Sequence, residues 1–395
     1  MMRRFCVGVL LIAVAFLPVT GQEASTPLKS PTPLKSPSGK RQNGPDVFTD
    51  VRRVVAMGDI HGDPDALKAL LRTAGLIGPA DTKPSDTKWT GGDTHLVLTG
   101  DFVDRGPNSA AVIDLLMALE PQAQKAGGRV HALIGNHEAM NMYGDLRYVP
   151  PEDFATYRNK DSEKKRDAQM ESALEQLKAS GMPPADEAAW KRQYQAQIPL
   201  GWVEQRLAFL PEGKYGKWLL KQNAVIRIDD NLYLHGGISA KYVTRTIQEM
   251  NEKIRAELAD HRVLPGGMSQ DEEGPLWYRG LAESPENSPE INILVNRVLE
   301  TLQVKHIVIG HTTMPAILPR FGGKVIAIDV GISRAFDSSR SFLVVEDGKY
   351  FAMHRGQKLD LPVSGGSVTQ YLVSAAFFEP PGSRLKTLVD KMVVP

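Results

Sequence analysis

HLVLTGDFVDRG, His95 to Gly106, sets the pattern for the chain. His95 to Leu98 reads as a short strand, and a polar loop with glycine at both ends follows it. Ser109 is placed to cap a helix over Ala110 to Leu119. The same grammar recurs four times. Arg53 to Met57 runs into GDIHGD, Val130 to Ile134 into GNHE, Asn231 to Leu234 into HGG, and His306 to Ile309 into GHT. After the first of these, Asp63 is an N-cap with Pro64 at the first helical position. Strand–loop–helix units predict an α/β (α+β) chain. Its sheets carry helices, and its polar loops gather at the strands' carboxyl ends. Further on, Phe342 to Val345, Asp347-Gly348 and Tyr350 to Met353 predict a hairpin.

The chain has 395 residues, 24% of them charged, with a formal net charge of +1. That is ordinary globular composition, and no global attraction to nucleic acid follows from it. Arg3 and Arg4 precede an apolar run from Phe5 to Leu17, and Pro18 to Gly21 supplies a break and small residues. Residues 1–21 therefore read as a secretory signal peptide, too short in its apolar part to span a bilayer. Export to the periplasm or the exterior is expected, with no stable membrane insertion after cleavage. Cys6 is the only cysteine, so the mature chain has neither a disulfide nor a thiol nucleophile. Residues 22–46, with TPLKSP twice over, form a Pro/Ser/Lys-rich linker. The catalytic domain is expected over 47–360, followed by a C-terminal extension over 361–395. Ile77 to Gly92 reads as a loop. A charged helical insertion is expected over about 152–200, broken at Gly181-Met-Pro-Pro184; such helices are commonly solvated faces, and a substrate-selecting cap is the functional reading.

Asp59, His61, Asp101, Asn136, His235 and His311 each follow a predicted strand. All are oxygen or imidazole donors, which suit manganese, iron or zinc. Six ligands exceed what one catalytic ion takes, so two divalent ions sharing Asp101 are the better count. Two carboxylates against two such ions leave the cluster net positive, which suits a phosphate dianion and lowers the pKa of a bound water. A lone histidine at a strand end is usually structural, and His131, His95, His261, His306 and His354 are read that way. Five such loops in succession are a different matter.

These motifs resemble the metallophosphoesterases. GDxxDRG with GNHE is similar to the phosphoprotein phosphatase family, and GNHEAMNMYGDLRYV, Gly135 to Val149, resembles its Shewanella-like branch. The likeness runs from about Val51 to Asp347. It implies a calcineurin-like β-sandwich flanked by helices. It implies that Asp59, His61 and Asp101 hold one metal and that Asp101, Asn136, His235 and His311 hold the other. His137 would be the general acid, Asp104 its orienting partner, and Arg105 a phosphate ligand, with Arg279 in LWYRG as a second. The adjacent side chains of Asn136 and His137 diverge, which leaves His137 free for proton transfer.

The reaction implied is phosphomonoester hydrolysis, by in-line attack of a hydroxide shared between the metals. The expected substrate is a protein phosphorylated on tyrosine or on serine/threonine. The alternatives are a hydrolase of nucleotides or dinucleoside polyphosphates and a non-catalytic phosphoprotein-binding module. The Ser-Ala-Pro-Asn-Tyr segment of the eukaryotic branch is missing after His311, so substrate preference does not transfer from there. Glu138 is expected to hold its loop by hydrogen bonds or an ion pair.

Overall fold

The computed structural model describes residues 45–79, 86–262 and 265–393. The expected signal peptide, most of the linker and part of the Ile77–Gly92 loop lie outside the described residues. Along the chain come β1 (Val47–Phe48), β2 (Arg53–Met57), α1 (Pro64–Thr73), β3 (His95–Leu98), α2 (Ser109–Lys125), β4 (Arg129–Ala132) and α3 (Asn136–Tyr143). The helices α4 (Pro151–Thr156), α5 (Ser162–Ala179), α6 (Glu187–Gln197), α7 (Trp202–Phe209) and α8 (Lys214–Leu219) follow. The chain continues through β5 (Val225–Ile228), β6 (Asn231–Leu234), α9 (Ile247–Asp260), α10 (Gly280–Glu283), α11 (Pro289–Leu302) and β7 (His306–Ile309). It closes with β8 (Leu318–Arg320), β9 (Val325–Ala327), β10 (Ser341–Glu346), β11 (Lys349–His354), β12 (Gln357–Asp360), α12 (Val368–Phe377) and α13 (Arg384–Val393).

These strands form two sheets, ordered β1-β5-β6-β7-β9-β8 and β12-β11-β10-β2-β3-β4. In the second, β2, β3 and β4 run parallel, and in the first β6, β7 and β9 do. Parallel strands are covered on both faces, which is why β3 and β6 are buried throughout. The parallel runs bring the loops after β2, β3, β4, β6 and β7 to one end of the sandwich. Contact there is close: a Cβ on Gly100, whose φ is +103°, would lie 2.7 Å from the Cα of Gly135 and 2.9 Å from Nδ1 of His235.

Four boundaries differ from expectation. Asp46 and Pro45, assigned to the linker, already belong to the folded unit, offering carbonyls to Arg227 N and to the Asn223 side chain. Asn108, not Ser109, caps α2 by accepting from Ala111 N at 2.9 Å, and the helix continues past Pro121 to Lys125. The 361–395 extension is part of the main core, since Leu361, Val363, Tyr371, Leu372, Leu385 and Val389 are buried in it. The insertion also reaches further than 200. α4, α5 and α6 occupy the expected span with a small core of Met170, Ala173 and Tyr194, and α7 continues it by packing on both α5 and α3.

The histidines read as structural include a buried pair. His131 Nε2 lies 3.1 Å from His95 Nδ1, beside the ring of Phe48. Burial, with help from Arg129, lowers His95 to about 4, against a weak pull from Asp93. Burial also holds His131 well below the usual imidazole range, with His95 and Arg129 adding to it. Unfolded histidines take up protons near 6.5, so the unfolded state binds more protons as pH falls from there toward 4. Stability is therefore lost over that window. His131→Leu is expected to lose less stability than the parent between pH 7 and 5, by on the order of 2 kcal/mol. Urea midpoints at the two pH values check this, and equal losses would clear the pair.

Candidate active site

The loops and the first turn of α3 bring all ten singled-out residues to one end of the sandwich. Asp59 and His61 follow β2, while Asp101, Asp104 and Arg105 follow β3. His235 and His311 follow β6 and β7, and Arg279 precedes α10. Asn136 and His137 are not in a loop, as the sequence suggested, but in the first turn of α3. The helix starts there because Glu138 reaches back to accept from Gly135 N at 2.8 Å, satisfying an amide at the helix entry.

Five of these residues hold left-handed backbones: His61 (φ 44°), Asp101 (51°), Asp104 (67°), Arg105 (61°) and His311 (65°). Residues with a Cβ resist that region by roughly 1–2 kcal/mol each. Hydrogen bonds hold them in place. Asp101 O accepts from Ile60 N at 3.0 Å and His61 N at 2.9 Å, and Tyr148 O accepts from Arg105 N at 2.9 Å.

Glu138 is the hub of this framework. Its Oε2 accepts from Asp101 N and its Oε1 from Phe102 N and Val103 N, at 2.8, 2.9 and 3.2 Å. Burial and the Asp101 charge raise its pKa, but the converging amides favour the ionised form. Glu138→Gln turns an N–H donor toward those amides. It is expected to cost about 3 kcal/mol and to lower the thermal midpoint by several degrees. An unchanged midpoint would show that the carboxylate is dispensable.

The fit to metal can be judged from the histidines' outer nitrogens. His61 Nδ1 lies 3.1 Å from Val103 O, His235 Nδ1 2.9 Å from Thr99 O, and His311 Nε2 3.1 Å from Trp277 O. Carbonyls only accept, so each of these nitrogens carries the proton and the other presents a lone pair. His235 Nε2 then faces Asn136 Oδ1 at 2.8 Å and Asp101 Oδ2 at 3.2 Å with no proton between them. Converging lone pairs of this kind are a donor set for a cation. His61, Asp101 and His137 form one group with ligand atoms within 4.8 Å, and Asp101, His235 and His311 form a second. Asp101 belongs to both. Asp59 joins the His61 side, its Oδ2 3.9 Å from His61 Nε2, while its Oδ1 accepts from His311 N.

Charge follows the same division. Burial opposes the Asp101 charge, yet its imidazole neighbours, His235 first and then His137 and His61, hold its carboxyl well below the usual range when they carry protons, an effect that a bound cation would supply in their place. Burial, then Asp329 and Asp101, raise Asp59 well above it. Burial lowers His61 to about 3 and holds His311 well below its usual value, so both are neutral imidazoles near neutral pH. His137 differs. Burial disfavours its imidazolium, but Asp101 and Asp104 outweigh that and raise its pKa.

Asn136 and His137 point to opposite sides. Asn136 meets His235, whereas His137 Nε2 sits 3.7 Å from Asp101 Oδ2 and its ring lies 4.9 Å from that of His61. His137 Nδ1 donates to Asp104 Oδ2 at 2.7 Å. That bond leaves Nε2 facing the cluster.

Arg105 is exposed, its guanidinium 4.5 Å from the ring centroid of Tyr148 and 5.5 Å from that of Phe336. Phe336 also stacks on His61, and the Tyr148 ring lies tilted against His137, their centroids 5.0 Å apart. Arg279 lies beside His311, where its Nη1 donates to His311 O at 2.7 Å and to Thr312 Oγ1 at 3.0 Å. Among the described residues neither arginine is paired with a carboxylate. Sequence reasoning missed Tyr148, Phe336 and Asn141, whose Nδ2 donates to Asp104 Oδ1 at 2.8 Å. Asn141 lies four residues after His137, a spacing that would have revealed it had α3 been recognised.

Residues 52–315 match the family model described as calcineurin-like phosphoesterase. The chain is 31% identical over 322 residues to an uncharacterised protein of Schizosaccharomyces pombe, covering 78% of this chain and 82% of that one. It is 30% identical to Shewanella-like protein phosphatase 2 of Arabidopsis thaliana, covering 73% of each. Among solved structures it is similar to the cold-active protein-tyrosine phosphatase of a psychrophilic Shewanella species. That similarity has a TM-score of 0.59 and 28% identity, over 81% of this chain and 83% of that one.

Proposed function

The chain belongs to the calcineurin-like phosphoesterase family and hydrolyses phosphoesters, and from this premise we propose that it dephosphorylates proteins, with phosphotyrosine favoured. The observation carrying the preference is the aromatic pair Tyr148 and Phe336 on either side of Arg105, both at the exposed rim. An aryl phosphate places its phosphoryl oxygens against the guanidinium while its ring meets these side chains. The names of the Shewanella and Arabidopsis relatives support a protein substrate, and the Shewanella name, a protein-tyrosine phosphatase, supports the phosphotyrosine preference.

In this reading Asp59, His61 and Asp101 would hold one divalent ion, and Asp101, Asn136, His235 and His311 the other, with manganese, iron or zinc as candidates. When bound, two such ions supply Lewis-acid stabilisation and an activated water. The chain's own residues do the rest. Arg105 and Arg279 offer planar donors to the phosphoryl oxygens as charge spreads over them. His137, held by Asp104, delivers the proton from Nε2 to the departing ester oxygen.

Location outside the cytoplasm is part of the proposal and rests on residues 1–21. Among the described residues no helix is long and apolar enough to cross a membrane. The test is a panel of phosphotyrosine, phosphoserine and phosphothreonine peptides with a dinucleoside polyphosphate, assayed with manganese. Phosphotyrosine peptides are expected to give a kcat/KM at least about tenfold above the others, a difference of ~1.4 kcal/mol in the barrier. Tyr148→Ala should erase that margin. Faster turnover of the dinucleotide would transfer the assignment to nucleotide hydrolysis.

A further inference from the structure

Behind the His137–Asp104 pair lies a buried hydrogen-bond network, and its outer members come from the inserted helices. Gln205 and Arg206, on α7, are 1% and 4% exposed. Gln205 Nε2 donates to Asn141 Oδ1, and Arg206 Nη1 to the Asn141 carbonyl. Burial pushes Arg206 down to about 10, so it stays charged at neutral pH. Its charge lies at the carbonyl end of α3, the favourable end of a helix for a cation. Asn141, one turn beyond His137, donates through Nδ2 both to Asp104 Oδ1 at 2.8 Å and to His137 O at 2.9 Å.

A second arm arrives from α4. Asp153, 1% exposed, accepts from Ser109 N at 2.8 Å and from Ser109 Oγ at 2.6 Å. Ser109 Oγ in turn accepts from Asp104 N at 2.9 Å. Asp104 is thus fixed at its amide and at both carboxylate oxygens, one of them engaging His137. Its left-handed backbone makes such holding necessary. The charged surface of the insertion lies on α5 and α6, while α4 and α7 turn polar side chains inward.

We propose that α4 and α7 form the positioning frame for leaving-group protonation, with Gln205, Asn141 and Asp153 as positioning residues acting on His137 through Asp104. The inference rests on the phosphatase reading above. As a water-derived hydroxide oxygen bonds to phosphorus, the ester P–O bond breaks; its electron pair stays on the ester oxygen, the proton on His137 Nε2 moves to that oxygen, and inorganic phosphate and the free hydroxyl compound are the products. His137 is left neutral, with Nδ1–H still donated to Asp104. A misplaced Asp104 lets the ring turn, and protonation suffers before binding does.

The test is Gln205→Met, which keeps the side chain's bulk and removes the donor. Two substrates are compared in the manganese-loaded full chain. Phenyl phosphate releases a phenol about as basic as tyrosine's, near ~10. Nitrophenyl phosphate releases a far more acidic phenol that needs little protonation. The expected result is a kcat loss of about tenfold or more on phenyl phosphate and under about threefold on nitrophenyl phosphate, with KM and metal content retained. Asn141→Ala should show the same split more strongly, and Asp153→Asn reads the other arm if α7 variants fold poorly. Equal losses on both esters, losses that track metal content, or no loss at all would overturn the inference. A parent protein inactive on both esters would instead overturn the phosphatase reading.

Discussion

Asp101→Asn is expected to lower kcat/KM more than about 10³-fold, beyond what loss of one charge-stabilising donor does. The reason lies in its place between two groups of donors. Its Oδ2 is 3.2 Å from His235 Nε2 on one side and 3.9 Å from His61 Nε2 on the other. Its Oδ1 meanwhile accepts from His137 N. A carboxamide removes the shared negative charge and can turn an N–H toward the imidazoles, which already present lone pairs. Metal content should fall with activity, measured on the purified protein after dialysis. A variant that kept its metals and its full rate would remove Asp101 from the bridging position.

His137→Ala is the second large effect, about 10²- to 10⁴-fold in kcat. Unlike the Asp101 change, it should spare metal content, because in the proposed reading Asn136, not His137, is the neighbouring ligand and the cluster retains Asp59, His61 and Asp101. It should also be selective. Esters with basic leaving groups lose most, and those with acidic leaving groups lose least, so a plot of rate against leaving-group pKa steepens. Turnover untouched on phosphotyrosine peptides would end the assignment of His137 as acid. Loss of metal alongside activity would make it a ligand, a role its membership in the His61–Asp101 group makes worth measuring.

Most of this centre is legible in the sequence because its chemistry sits where short apolar strands stop. Asp59, Asp101, His235 and His311 each follow an unbroken apolar run, and glycine marks each loop. α3 was harder to see. Asn136-His137-Glu138 looks like a polar loop because its stabilising partners, the amides of Asp101 to Val103, are some 35 residues upstream. Phe336, Gln205 and Asp153 left no local trace at all. Phe336 reaches His61 from a loop held by Arg334 on Asp63, and Gln205 reaches Asn141 across 64 residues of chain. Such contacts are created by packing, and no spacing rule along the chain announces them.

The left-handed residues of the centre carry a historical consequence. Glycine would adopt the backbone at Asp101, Asp104 or His311 without resistance, yet it would bring no ligand and no proton relay. Under the roles proposed for these residues, selection for activity there opposes selection for a sturdier fold. A lineage released from the need for catalysis would be free to drift toward glycine at those sites and gain stability as it fell silent. The twist in these loops would then serve as a record of use: retained aspartate and histidine at strained positions mark a copy still under selection to turn over substrate.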